Sequence, residues 1–210
     1  MATGFKKWAP SPLTILACGL VFFAVPHFRY SWIAALCCFI PLFLALDREL
    51  HWSRKLVQVL YFQTILAWGS FGWILEGSER YWKYGFFAGL FVFLLIVPLI
   101  TWHYSLVVFL RDRLQRKGLG SIFVALMSAV LFSLCDHWLN FLNVSFGSYL
   151  YNRPELLPLA RWGGTTLIFF FIILTSELGA LIIRGKNPLR WLALPLPIAT
   201  FVGISVFYFN

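Results

Sequence analysis

Two titratable side chains lie inside stretches that are otherwise apolar, His103 within residues 85–110 and Glu177 within residues 163–183. Each lies a similar number of residues before the basic residues that follow its stretch. An ionisable group among apolar residues is costly and marks a candidate functional site by default. The pair therefore predicts a proton-linked or headgroup-binding site. The alternatives are a buried structural pair, or a protonated Glu177 that is hydrogen-bonded to a serine or a backbone carbonyl.

Two other pairs of residues could take part in acid–base chemistry, and for each pair a simpler interpretation is favoured. Asp136 and His137 are sequence neighbours, which point apart on a helix, so they indicate a polar cap at a membrane surface rather than a base with its orienting partner. Glu76 and Glu79 could share a helical face, but a solvated, salt-bridged helix end is commoner.

The cysteines Cys18, Cys37, Cys38 and Cys135 have no metal-ligand or disulfide spacing, so they are interpreted as packing residues.

The elements that carry these residues are predicted to be transmembrane helices. The chain is 60% apolar and only 12% charged, whereas about a quarter of a soluble domain is charged. A helix over residues 85–110 would reach roughly 39 Å, enough to cross a hydrocarbon core about 30 Å thick. In lipid each backbone polar group must be paired within its own segment, so this stretch is predicted to be helical, with a bend at Pro98.

The whole chain, residues 1–210, is predicted to form a single all-α membrane domain with seven transmembrane helices. The first two, residues 12–25 and 32–46, are short and form either two spans or one re-entrant hairpin. Gln58 and Gln63 are expected to face other helices rather than lipid. A charged turn over residues 76–83 and an aromatic connection over residues 140–162 complete the outward loops. The remaining spans are residues 56–75, 85–110, 119–139, 163–183 and 191–209.

The distribution of basic residues predicts the orientation of this bundle. Twelve of the 17 Lys and Arg fall on one side of the predicted spans and five on the other. Because the cytoplasmic side carries the excess of Lys and Arg, the amino terminus is predicted inside and the carboxyl terminus outside. The net charge of +9 is confined to short loops between apolar stretches, so nucleic-acid binding is not expected.

Three sequence features around the fifth and sixth predicted spans are similar to those of a known family. The first is an acidic residue with Trp-Leu late in a span, here Asp136, Trp138 and Leu139. The second is a Gly/aromatic stretch with Phe146, Gly147 and Tyr149. The third is the run Leu156-Leu157-Pro158-Leu159-Ala160-Arg161-Trp162-Gly163-Gly164. In these motifs and in helix order, the chain resembles the transmembrane region of bacterial apolipoprotein N-acyltransferases. It departs from their pattern at Pro158, Ser176 and His137.

The resemblance implies a multi-pass protein of the bacterial inner membrane that binds phospholipid and lipoprotein acyl chains at the outer leaflet. In that family a periplasmic nitrilase-like domain with a Glu–Lys–Cys triad follows the seventh span. The present chain ends at Asn210, so no catalytic residue is expected in it, and a separate nitrilase-like partner chain would supply the chemistry. Neither a cofactor nor a metal site is expected.

The expected lipid and substrate contacts cluster around the connection between the fifth and sixth spans. Arg153 and Arg161 would bind phosphate headgroups through bidentate hydrogen bonds. Ordinary interfacial anchoring explains the same residues equally well. The aromatic members of the set, which would seat acyl chains, are Trp138, Phe146, Tyr149, Tyr151 and Trp162.

Two alternative functions stay open on the sequence alone. One is a non-enzymatic scaffold subunit of an envelope complex that retains the helical bundle. The other is a small proton-linked transporter that uses Glu177 and His103, although no inverted repeat is visible in the sequence.

Overall fold

The computed structural model describes residues 9–24, 34, 37–71, 73–80, 83–139, 146 and 157–185. The regular structure of these residues is α-helical, apart from a single 3₁₀ position at Phe146. The helices are α1 (Pro12–Ala24), α2 (Phe39–Arg48), α3 (Trp52–Phe71), α4 (Trp73–Arg80), α5 (Phe86–Arg116), α6 (Ser121–Trp138) and α7 (Leu157–Arg184).

The all-helical class is therefore confirmed, while several predicted boundaries are wrong. The predicted span over residues 56–75 is divided between α3 and α4, and the expected charged turn is helical as far as Arg80. The basic run that begins at Arg111 continues α5 rather than ending it, because its first residues find partners inside the bundle. The predicted span over residues 191–209 lies outside the described residues.

Three of the described helices are long and apolar enough to cross a membrane, namely Phe86–Arg116, Ser121–Trp138 and Ala160–Arg184. A shorter apolar helix covers Pro12–Phe22. The seven crossings and the inward amino terminus stay predictions.

The described helices pack against one another in a connected bundle. Helix α6 packs between α5 and α7, and α2 packs against α7. Helix α3 contacts α5 and α2, while α1 lies on α2 and α3. Gln58 and Gln63 on α3 are buried, as expected, because each forms hydrogen bonds to a neighbouring segment. Gln58 Oε1 accepts from Thr14 Oγ1 at 2.7 Å, and Gln63 Nε2 donates to the Thr101 carbonyl at 2.6 Å.

An aromatic cluster centred on Phe39 fills the middle of the bundle. The Phe39 ring lies 4.9 Å from the ring of Phe62 on α3 and 5.9 Å from that of Phe169 on α7, measured between centroids. Tilted and edge-on contacts at such distances are the favoured geometry for aromatic pairs. Tyr104 on α5 and Phe132 on α6 complete the ring of contacts. One cluster therefore joins five helices, so α2, although short, is held on several sides.

Helices α4 and α5 approach closely at Gly89. A Cβ atom added at Gly89 would lie 2.0 Å from Ser78 Oγ and 2.8 Å from Ser78 Cβ. Ser78 cannot easily move away, because its hydroxyl donates to the Leu75 carbonyl at 2.8 Å. The close approach of α4 and α5 therefore depends on the absence of a side chain at Gly89.

We expect Gly89→Ala to destabilise the folded protein by about 1–3 kcal/mol, the usual cost of overpacking a close contact. The matched control is Gly19→Ala in α1, where an added Cβ meets nothing within 4 Å. That change should be neutral or stabilising, since alanine has the higher helix propensity. Thermal unfolding in detergent measures both. Equal unfolding midpoints for the two variants would contradict the close approach of α4 and α5.

Candidate functional site

A buried arginine joins three helices at one end of the bundle. Arg111 on α5 is 2% exposed, and it lies between Asp47 at the end of α2 and Glu177 on α7. Its Nη1 donates to Asp47 Oδ1 at 2.8 Å, its Nη2 donates to Glu177 Oε2 at 2.9 Å, and its Nε also donates to Glu177. The planar guanidinium thus binds both carboxylates in bidentate fashion, a geometry that lysine cannot reproduce.

Two further polar side chains contact Asp47. Arg184 Nη1 lies 2.5 Å from Asp47 Oδ2, and Gln115 Nε2 donates to Asp47 Oδ1 at 3.1 Å. Asp47 lies outside the candidate spans, and burial alone would raise the pKa of its carboxyl. The Arg111 and Arg184 guanidiniums outweigh that effect, so its pKa lies below the usual value. The carboxylate therefore stays ionised at neutral pH.

A second ion pair lies one residue further along α5. Asp112 accepts from Lys55 Nζ of α3 and pairs with Arg116 Nε at 2.8 Å. Two neighbouring groups of paired polar residues thus lie where α2, α3, α5 and α7 meet. We call this region the basic end, and its residues are Asp47, Lys55, Arg111, Asp112, Gln115, Arg116, Glu177 and Arg184.

The structure contradicts the predicted pairing of His103 with Glu177. Both side chains are buried, at 1% exposure, but Glu177 binds Arg111. The sequence does not single out Arg111, because this residue is the first of a basic run that resembles a loop. The sequence does contain a signal for a buried cation. Glu177 lies inside one apolar stretch and Asp47 at the end of another, and a buried carboxylate requires a cationic partner.

His103 lies instead beside Asp136. The distance from His103 Nε2 to Asp136 Oδ1 is 3.6 Å, which is longer than a hydrogen bond. Asp136 is only 3% exposed, so its expected place in an interfacial polar cap is wrong. The ring of Tyr104 packs against His103, with 4.6 Å between centroids. Leaving a buried polar group without a partner costs about 1–3 kcal/mol, so this pair lies in an expensive environment.

The opposite end of the bundle presents exposed aromatic rings. Trp138 at the end of α6 and Trp162 near the start of α7 are 76% and 71% exposed. His137 is exposed, and its Nδ1 lies 3.3 Å from Thr166 Oγ1, which ties the two helices together. Because α6 and α7 run in opposite directions and pack against each other, both Trp residues lie at the same end, which we call the aromatic end.

A break in α7 shapes this end. Gly163 and Gly164 have non-helical backbone angles, and the φ of 62° at Gly164 lies in the left-handed region that favours glycine. A Cβ at Gly163 would lie 2.7 Å from Leu167 Cβ. The Gly-Gly pair therefore allows residues 157–162, with the exposed Arg161 and Trp162, to leave the axis of the following helix.

Of the other predicted lipid-contact residues, one is buried and three lie outside the described residues. Phe146 is 1% exposed and packs in the aromatic core, 5.4 Å from Phe39 and 5.9 Å from Phe169 between ring centroids, so it has no surface for an acyl chain. Tyr149, Tyr151 and Arg153 lie outside the described residues. Within the described ranges no cluster of His, Cys, Asp and Glu could hold a metal ion.

Comparison with known proteins gives one family. The sequence model of the apolipoprotein N-acyltransferase N-terminal domain matches residues 17–178, which is most of the chain and includes the aromatic rings that surround Phe39. No match is found among curated proteins.

Replacing Arg111 by Gln should destabilise the protein by about 3–5 kcal/mol, because two buried carboxylates lose their cation. The combined variant Asp47→Asn, Arg111→Gln, Glu177→Gln should recover most of that loss, since its buried groups are all neutral. Arg113→Gln, which changes an exposed arginine on the same helix, is the matched control and should be nearly neutral. Thermal unfolding in detergent separates the three; an Arg111→Gln protein as stable as the control would refute the buried network.

Proposed function

Because this chain belongs to the family of the apolipoprotein N-acyltransferase N-terminal domain, we propose that it forms a membrane platform which holds phospholipid and lipoprotein acyl chains for an acyl-transfer reaction. The acyl chains would be held at the outer leaflet of the bacterial inner membrane, with the aromatic end of the protein as the contact surface. A separate nitrilase-like subunit would supply the nucleophile. The observation that carries this proposal is the pair of exposed rings, Trp138 and Trp162, on two helices that pack together.

The chemistry of the aromatic end supports lipid contact. Indole rings favour the membrane–water interface, where one edge is apolar and the N–H is hydrated. Arg161 is exposed next to Trp162, so a guanidinium that can bind phosphate stands beside a ring that can cover acyl chains. The break at Gly163 and Gly164 supports the same role, since it lets this segment follow the surface while the rest of α7 enters the bundle.

The charge distribution supports an orientation in which the basic end faces the cytoplasm. The basic end gathers cations from α3, α5 and α7, and exposed Arg113 and Lys117 extend it. Lys and Arg near the ends of spans are retained on the cytoplasmic side. The aromatic end then faces the periplasm, where lipoprotein acyl chains would be bound.

Cysteine labelling tests this orientation. In a background with the four native cysteines replaced by alanine, Lys117→Cys marks the basic end and Tyr84→Cys marks the residues just before α5 at the other end; both native side chains are exposed. We expect a membrane-impermeant maleimide to modify Tyr84→Cys in intact spheroplasts and Lys117→Cys only after permeabilisation. The reverse pattern would place the aromatic end in the cytoplasm and end the proposal.

Photo-crosslinking tests the lipid contact. Nanodiscs that contain a phospholipid with a photoreactive acyl chain should label peptides around Trp138 and Trp162. The double variant Trp138→Ala, Trp162→Ala should reduce that labelling about fivefold, equivalent to about 1 kcal/mol of binding. Trp102→Ala is the control, because Trp102 is exposed on α5 away from this end. Equal labelling in all three proteins would favour the alternative of a scaffold whose aromatic residues are only anchors.

A further inference from the structure

Five buried side-chain atoms have no hydrogen-bond partner among the described residues. They are His103 Nδ1 and Nε2, Asp136 Oδ1, Ser128 Oγ and Ser133 Oγ, and each parent residue is at most 4% exposed. Ser133 and Asp136 are three residues apart on α6 and so lie on neighbouring positions of one helical face. Buried polar atoms in proteins are almost always paired with protein or with ordered water.

Several polar side chains on neighbouring elements are already engaged with other groups. From α3, Gln63 Nε2 donates to the Thr101 carbonyl and lies 3.2 Å from Ser105 Oγ. From α7, Glu177 is bound by Arg111, and Thr166 contacts the exposed His137. On α5, Thr101 Oγ1 donates to the Val97 carbonyl. These groups therefore do not satisfy His103 and Asp136.

A single water placed beside His103 and Asp136 would reach both side chains. At 3.6 Å the two atoms are too far apart for a good direct hydrogen bond. One water beside them can donate to Asp136 Oδ1 and exchange a hydrogen bond with His103 Nε2, at ordinary distances to both. Asp136 lies two residues before the end of α6, about 3 Å along the helix axis from the level of Trp138.

We propose that His103, Asp136 and Ser133 form a buried hydration site whose ligand is water. The water would donate to Asp136 Oδ1 and would lie within hydrogen-bond distance of His103 Nε2. This proposal does not depend on lipid binding.

Solid-state NMR of the ¹⁵N-histidine-labelled protein in bilayers tests the site. The His103 signals are identified by their loss in His103→Gln. We expect magnetisation to pass from water to the His103 ring nitrogens, and to fall several-fold in Asp136→Leu and in Ser133→Ala, each of which removes one partner of the water. Glu79→Leu, the same change at an exposed carboxylate, is the control and should leave the transfer unchanged.

Two outcomes overturn the proposal. One is the absence of water-to-His103 transfer in the unaltered protein, which would mean that no water occupies the site. The other is transfer of full intensity in both Asp136→Leu and Ser133→Ala, which would separate the water from these partners. Ser133→Ala keeps the experiment decisive if Asp136→Leu fails to fold, because it removes only a hydroxyl.

Discussion

The buried guanidinium of Arg111 is the constraint on which the arrangement of the helices depends. It binds Asp47 of α2 and Glu177 of α7 at once, so the register of α2, α5 and α7 is fixed relative to one another. Buried ion pairs add little net stability compared with apolar packing, but breaking one is expensive. The main consequence of this network is therefore structural specificity, because an arrangement that separates Arg111 from either carboxylate leaves a buried charge unpaired.

This constraint gives the bundle two different ends with an apolar centre between them. Charges are gathered and paired at the basic end, and the rings around Phe39 fill the middle. Exposed indoles mark the other end, where the break at Gly163 and Gly164 turns the chain aside. The two ends therefore differ in chemistry, one with paired charges and the other with exposed aromatic rings.

Buried polar groups follow two distinct patterns within the described part of the chain. Gln58, Gln63 and Arg111 have partners on neighbouring segments, and they connect helices in the way that structural polar residues do. His103 and Asp136 are equally buried, but their facing atoms lie 3.6 Å apart without a hydrogen bond. In a low-dielectric interior, an incompletely paired group is costly, so this pair differs from the paired groups that connect helices.

The amino-acid sequence by itself determined the helical class, the membrane character and the family, because these follow from apolar segment length, charge distribution and local motifs that act over short stretches. It also indicated that Gln63 faces protein, since a primary amide in an apolar helix needs a partner. Only the tertiary structure decided which ions pair. His103 and Glu177 looked matched in depth, yet depth along a helix leaves rotation about its axis and the choice of neighbour undefined. Packing of α6 between α5 and α7 brings Asp136 to His103, and packing of α2 against α7 brings Asp47 and Glu177 to the same arginine.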